Sequence, residues 1–288
     1  MTTGERRPGE PQVIVVDDAT AIGRTAAEWL VPELAVAIEL RGEAHLALTG
    51  GSTAIGLYRE LAGAWSDALD WRRVHLWWGD ERFVPVDHPE SNAGMAYATL
   101  LAVAQRSSES GTGGQGTDVA ADAVAGLDVL AENVHPYGID EAAADSDAAE
   151  LVAERYVAEL LRYVPNGPDE LPAFDAVLLG VGADGHVLSC FPGSAALAPE
   201  APLVVAVPAP RHIGPHLPRI TLNPRLLGAA GRLIVIVSGE AKAEAVRRAL
   251  AEAGPADELP ARLARRDNAV WVIDRAAAAQ LAQRSSSE

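Results

Sequence analysis

Short apolar runs that alternate with longer stretches of helical period constrain this chain more than any other feature of it. A strand covered by helices on both faces needs no polar alternation, so a continuous run such as Val13–Val16 (VIVV) reads as buried in a parallel sheet. The same pattern predicts strands at His45–Leu48, Val74–Trp78, Phe174–Leu179, Leu203–Val207, Arg219–Leu222, Leu233–Val237 and Val270–Ile273. Helices are expected at Ala19–Leu40, from the turn at 50–53 through Ala62, and at Asn92–Ala104, Asp147–Tyr163, Glu240–Ala253, Ala261–Arg266 and Ala276–Ala282. In the helix ending at Tyr163, Leu151, Tyr156, Leu160 and Tyr163 fall on or near one face. The expected fold class is therefore α/β, a mainly parallel sheet with helices on both faces. Apolar residues make up 49% of the chain, enough for its core.

The pattern fails from Gln105 to about Gly126, where the run SSESGTGGQGTD has no apolar period. It reads as a mobile surface loop inserted into a single domain spanning residues 1–288, since the alternation resumes afterwards in the same style. The net charge of −17 argues against nucleic acid as a partner, because a duplex attracts the opposite sign. A small anion is still admissible, provided a few cations are gathered in a cleft. Cys190 is the only cysteine, so no intrachain disulfide can form, and no run approaches the roughly 20 apolar residues of a membrane span. The amino terminus is polar and lacks an apolar signal core. A cytoplasmic protein, monomeric or weakly dimeric, with no membrane contact is the expectation.

Ligands bind beyond the carboxyl ends of the strands in sheets of this kind, and three polar, Gly-rich segments stand there. In Leu48-Thr-Gly-Gly-Ser-Thr53, Gly50 and Gly51 permit a tight turn, and Ser52 or Thr53 could cap the following helix. Such a turn can hold a phosphate on free N–H groups, or can be no more than a capped junction. Gly180-Val-Gly-Ala-Asp-Gly185 formally matches a dinucleotide fingerprint. The match fails in context, because Pro192 and Gly193 interrupt the required helix and the next strand ends in Pro208 rather than an acid. Better sense comes from Asp184-Gly185-His186, which sets an exposed imidazole beside a carboxylate at a strand end, suited to general-base work. After the third strand, Arg82 could fork onto phosphate oxygens with Asp80 or Glu81 orienting it, or could form a surface ion pair. Lys242, in Ser238-Gly-Glu-Ala-Lys242, could add a second cation or be merely solvated. His212 and His216 flank Gly214 and Pro215 and share no helical face, and no metal-ligand spacing occurs, so no metal and no cofactor are expected.

Together these segments resemble the 6-phosphogluconolactonase family: LTGGST at 48–53, WGDERFVP at 78–85 with SN at 91–92, GVGADGHVLSCFPG at 180–193, PRITL at 218–222 and SGEAK at 238–242. The resemblance covers nearly the whole chain, in order. It implies the sugar-phosphate isomerase/deaminase fold and hydrolysis of 6-phosphoglucono-δ-lactone, with a sugar-phosphate lactone as small-molecule partner. It further implies His186 as base, with Arg82, Arg219 and Lys242 as anion-binding cations. Asp80, Asp184, Gly50, Gly51 and Ser52 would complete the pocket, Asp184 beside the base. Departures are Val187 where the family usually has Thr, Cys190 where it has Leu, and Asn223 after PRITL. One rival is a glucosamine-6-phosphate deaminase, but Arg82 stands where such enzymes have Tyr and the His turn lacks their following acid. The other is a non-catalytic sugar-phosphate-binding module.

Overall fold

The computed structural model describes residues 9–101, 126–139, 148–198 and 200–281. Seven parallel strands form the main sheet: β1 (Gln12–Val16), β2 (Ala44–Leu48), β3 (Val74–Trp78), β5 (Val134–His135), β6 (Ala176–Leu179), β9 (Arg232–Val237) and β10 (Ala269–Asp274). Their spatial order is β1-β10-β9-β6-β2-β3-β5, every pairing parallel. Every residue of β2, β3, β6 and β10 is buried, as continuous apolar strands between helical layers should be. The expected α/β class is the observed one.

The helices are α1 (Ala19–Arg41), α2 (Ser52–Ala62), α3 (Asn92–Thr99), α4 (Ala148–Tyr163), α5 (Leu226–Ala229) and α6 (Ala243–Ala251). The Asp18 carboxylate caps α1 by accepting from Thr20 N and Ala21 N, and Gly42 ends it at φ 88°. Its buried positions Ile22, Ala26, Leu30 and Leu34 recur every fourth residue and so lie along one stripe. Gly23 brings α1 against α2 so closely that a β-carbon there would lie 2.7 Å from Gly56 C. That crossing fixes where α2 begins, and hence the turn after β2.

Four expectations are corrected. First, Leu203–Val207 and Arg219–Leu222 do not join the parallel sheet. As β7 (Val204–Val207) and β8 (Arg219–Leu222) they form a separate antiparallel sheet with the unexpected short strand β4 (Asp80–Arg82), in the order β4-β8-β7. A parallel return needs a crossover element, and the Pro208–Pro218 connection carries four prolines and no helix. Second, the C-terminal helices are shorter: 3-10 turns cover Glu240–Lys242 and Pro260–Ala264, and residues 275–281 form turns only. The helix from Asn92 likewise stops at Thr99. Third, Leu151 is 48% exposed beside the buried stripe of α4, which runs through Ala148, Val152, Tyr156 and Leu160, whereas Tyr163, though partly exposed, packs its ring near Trp77 and His135. Fourth, Gly51 is the N-cap of α2 and no side chain caps it, so neither Ser52 nor Thr53 does that work. The insertion expected at about 105–126 lies, save for Gly126, outside the described residues. Among the described residues no helix is long and apolar enough to cross a membrane.

Candidate active site

The carboxyl ends of β2, β3, β6 and β9 surround a cavity of about 220 Å³. Its wall contains Gly50 and Gly51 from the turn after β2, Asp80 and Arg82 from β4, Arg219 from β8, Lys242 and His186. Residues scattered over nearly 200 positions of sequence thus meet because parallel strands deliver their loops to one edge. Ser52 does not line the cavity; it is exposed on the first turn of α2. Asp184 stands behind His186 rather than on the wall.

His186 is held from several sides. Its Nδ1 lies 2.6 Å from Asp184 Oδ1, which also accepts its backbone N–H at 3.2 Å. The turn carrying both closes through Gly182 N donating to His186 O (2.9 Å) and Gly185 N donating to Gly182 O (3.0 Å). Only glycine fits at 182, where a β-carbon would sit 2.0 Å from His186 Nδ1. Gly185 takes φ 84°, and the neighbouring cavity residue Leu188 adopts φ 55°, a strained value for a side-chain-bearing residue. Phe191 packs against the imidazole at 4.7 Å between centroids. The ring is consequently only 19% exposed, not open to solvent as the turn alone suggested.

Asp184 faces His186 through its ring and backbone N–H and His212 through its ring. Burial raises its proton affinity, but hydrogen bonds and charge from His186 and a hydrogen bond from His212 outweigh that, holding it well below the usual carboxylate range. It is therefore ionised at neutral pH. A contact this short to a carboxylate puts the proton on His186 Nδ1, which leaves Nε2 as the basic nitrogen. Lys242 is depressed by burial, partly restored by the Asp184 charge.

On the opposite side, Arg82 Nη1 donates to Glu90 O (2.6 Å) and reaches Glu90 Oε2 at 3.4 Å. Arg219 is buried, donates Nη2 to Pro215 O at 3.2 Å, and lies over the Phe191 ring. The Nε atoms of both arginines are buried without a partner among the described residues. Asp80 Oδ2 accepts from Ser189 Oγ at 2.5 Å. Glu81 orients no guanidinium. Its oxygens accept from the backbone N–H groups of Arg82, Asn92 and Ala93 and from Ser91 Oγ, tying β4 to the start of α3. Burial pushes its carboxyl up to about 7 despite those bonds. A second cavity of about 160 Å³ lies beyond Glu81, lined by Val84, Val86, Tyr97, Tyr137 and Ile139, with no imidazole or cation in its wall. Among the described residues no cluster of three or more His, Cys, Asp or Glu is arranged to hold a metal ion.

The family model described as glucosamine-6-phosphate isomerases/6-phosphogluconolactonase matches residues 17–272. The chain belongs to this family. A 6-phosphogluconolactonase of Streptomyces coelicolor is 36% identical over 275 residues, covering 94% of this chain and 95% of that protein. Among solved structures, 6-phosphogluconolactonase from Trypanosoma cruzi superposes with a TM-score of 0.77 at 25% identity, covering 97% of this chain and all of that one. The enzyme of the same name from Leishmania guyanensis gives 0.75 at 29% identity, covering 94% and 98%.

With the family in place, the residues that escaped sequence reasoning stand out. His212 shares no helical face with His216, yet its Nε2 lies 2.7 Å from Asp184 Oδ2. Asn92 is buried on the cavity wall, its Nδ2 donating to Asp80 O at 2.8 Å. The SN pair at 91–92 signalled that position but not its role. Thr49, within the LTGGST segment, also lines the cavity, as do Ile213 and Gly214, which no local pattern marks.

Proposed function

We propose that this chain hydrolyses 6-phosphoglucono-δ-lactone to 6-phosphogluconate, in the oxidative pentose phosphate pathway, with His186 as general base. The observation that carries this reading is one carboxylate-bound imidazole and three cations around a single cavity. A lactone carbonyl is electrophilic enough that an activated water suffices without a covalent nucleophile. Nε2 of His186 removes a proton from water as its oxygen attacks the carbonyl carbon, and Asp184 stabilises the imidazolium that forms. On collapse of the tetrahedral intermediate, the bond to the ring oxygen breaks and Nε2–H returns the proton to it. The products are a hydroxyl and a carboxylic acid, which ionises at neutral pH.

Arg82, Arg219 and Lys242 recognise the 6-phosphate, aided by N–H groups at the Gly50–Gly51 turn where α2 begins. The phosphate stays remote from the chemistry and serves to position the carbonyl against the base. We also read the chain as one domain in the cytoplasm. In support, β1 near one end pairs with β10 near the other, and the sole cysteine, Cys190, is a buried thiol.

The test compares purified protein on freshly generated 6-phosphoglucono-δ-lactone, on glucono-δ-lactone and on glucosamine 6-phosphate, each corrected for the spontaneous rate. The phosphorylated lactone should be hydrolysed with kcat/KM about 10²-fold above the unphosphorylated one, the worth of one or two charged hydrogen bonds. Chelator should leave the rate unchanged, and glucosamine 6-phosphate should release no ammonia. Equal turnover of the two lactones would overturn the phosphate assignment, and ammonia release would favour the deaminase.

A further inference from the structure

Asp184 serves two imidazoles, not one. Oδ1 faces His186 Nδ1 at 2.6 Å, and Oδ2 faces His212 Nε2 at 2.7 Å. His212 comes from the Pro208–Pro218 connection between β7 and β8, on a different part of the chain. Its position is built. The Phe191 ring meets it edge-on at 5.6 Å while also packing on His186 at 4.7 Å. The connection is pinned on either side by His216 Nδ1 to Pro210 O (2.7 Å) and by Arg219 Nη2 to Pro215 O (3.2 Å). The next two residues, Ile213 and Gly214, form part of the cavity wall. His212 itself is half exposed.

We propose that His212 is a positioning residue that lowers the basicity of His186 through the carboxylate they share. This rests on the reading of His186 as the base. A single carboxylate stabilises one imidazolium well and two poorly, so a positive charge on one ring disfavours a positive charge on the other. A proton on His212 draws on Oδ2 and adds a positive charge a short distance from His186. The other cations nearby are Lys242, which feels the Asp184 charge, and Arg219, which lies over the Phe191 ring. Because the base works only when Nε2 is bare, holding down its proton affinity keeps a larger share of the enzyme active on the acid side of neutrality. Asp184 alone would push the other way, favouring the imidazolium; His212 offsets it.

The test is the pH dependence of kcat/KM, together with histidine NMR of the free protein, for wild type, His212→Gln and His212→Ala. Glutamine keeps a donor for Oδ2 but cannot titrate, and it guards against collapse of the loop in the alanine variant. In both variants the acid limb and the His186 midpoint should move up together, by on the order of half a unit to one unit, the size of one added charge at this separation in a partly wet site. Saturated activity at high pH should be largely retained, with KM changed less than threefold. An acid limb and a His186 midpoint that stay in place in a folded variant, or move down, would overturn the proposal. His186→Asn is run alongside. If it keeps the wild-type rate the base assignment fails, while the NMR midpoint still reports whether His212 governs the proton affinity of His186.

Discussion

At position 182 a β-carbon would lie 2.0 Å from His186 Nδ1 and 2.5 Å from Asp184 Oδ1, so the dyad depends on a missing side chain. Gly182→Ala should therefore tilt the imidazole away from Asp184 while the buried strands behind it stay packed. We expect a loss of about 10²-fold in kcat, the usual consequence of misplacing a reacting group by about 1 Å. Steady-state kinetics alongside a melting curve separates this from unfolding; a variant retaining half its activity would show that the turn tolerates the change. Arg82 poses a different demand. One of its terminal nitrogens already serves Glu90, so the remaining donors of the fork are those left for a ligand. Lysine has no fork, and Arg82→Lys should raise KM for the phosphorylated lactone by about ten- to a hundredfold with a smaller change in kcat. Unchanged KM would mean that Arg82 serves Glu90 alone.

His45 of β2, His75 of β3 and His135 of β5 form a stacked ladder with Trp77, and none of them lines the cavity. His75 Nδ1 and His135 Nε2 are 2.9 Å apart, a hydrogen bond that needs one nitrogen bare. Burial, reinforced by the charge of His75, pushes His45 down to about 4. The folded state thus binds fewer protons there than the unfolded chain, whose histidines titrate near 6.5. The stability this supplies is complete above about pH 6.5 and drains away as pH falls towards 4. Glu81, raised to about 7, has the opposite sense in the same window, so the informative quantity is a difference between variants. Urea unfolding at pH 7.5 and 5.0 should show wild type losing more stability on acidification than His45→Gln; equal losses would mean that His45 is protonated in the fold without cost. The elements themselves were legible where burial wrote them as continuous apolar runs, as in β2, β3, β6 and β10. They were not legible where pairing depends on distant partners. Asp80–Arg82 is a strand only because β8 lies alongside it, and the direction of β8 follows from a proline-rich connection that no hydrophobic period encodes.

The chain as a whole carries a net charge of −17, while the cavity wall carries three cations, which concentrates positive charge where a dianionic sugar phosphate would enter. Steering of that kind weakens with ionic strength, so KM for the phosphorylated lactone should rise between low and physiological salt while kcat holds. A salt-independent KM would place the phosphate away from these cations. Of the site, His186, Asp184, Asp80, Arg82, Lys242 and the Gly50–Gly51 turn were readable because their segments are short, polar and stand at strand ends, whereas Arg219 came only from the resemblance of PRITL. His212 and the capping role of Glu81 were not, since a contact across 28 residues or a buried carboxylate facing backbone N–H groups leaves no local signature. Ser52 was read as part of the pocket for the converse reason: it adjoins the turn in sequence, yet α2 points it outwards. The most direct measurement is turnover of 6-phosphoglucono-δ-lactone by folded His186→Asn, corrected for spontaneous hydrolysis. A general base is worth about 10²–10⁴-fold, so the variant should keep no more than about one-hundredth of the wild-type kcat with KM little changed. A folded variant that retains more than a tenth of wild-type turnover would contradict the account.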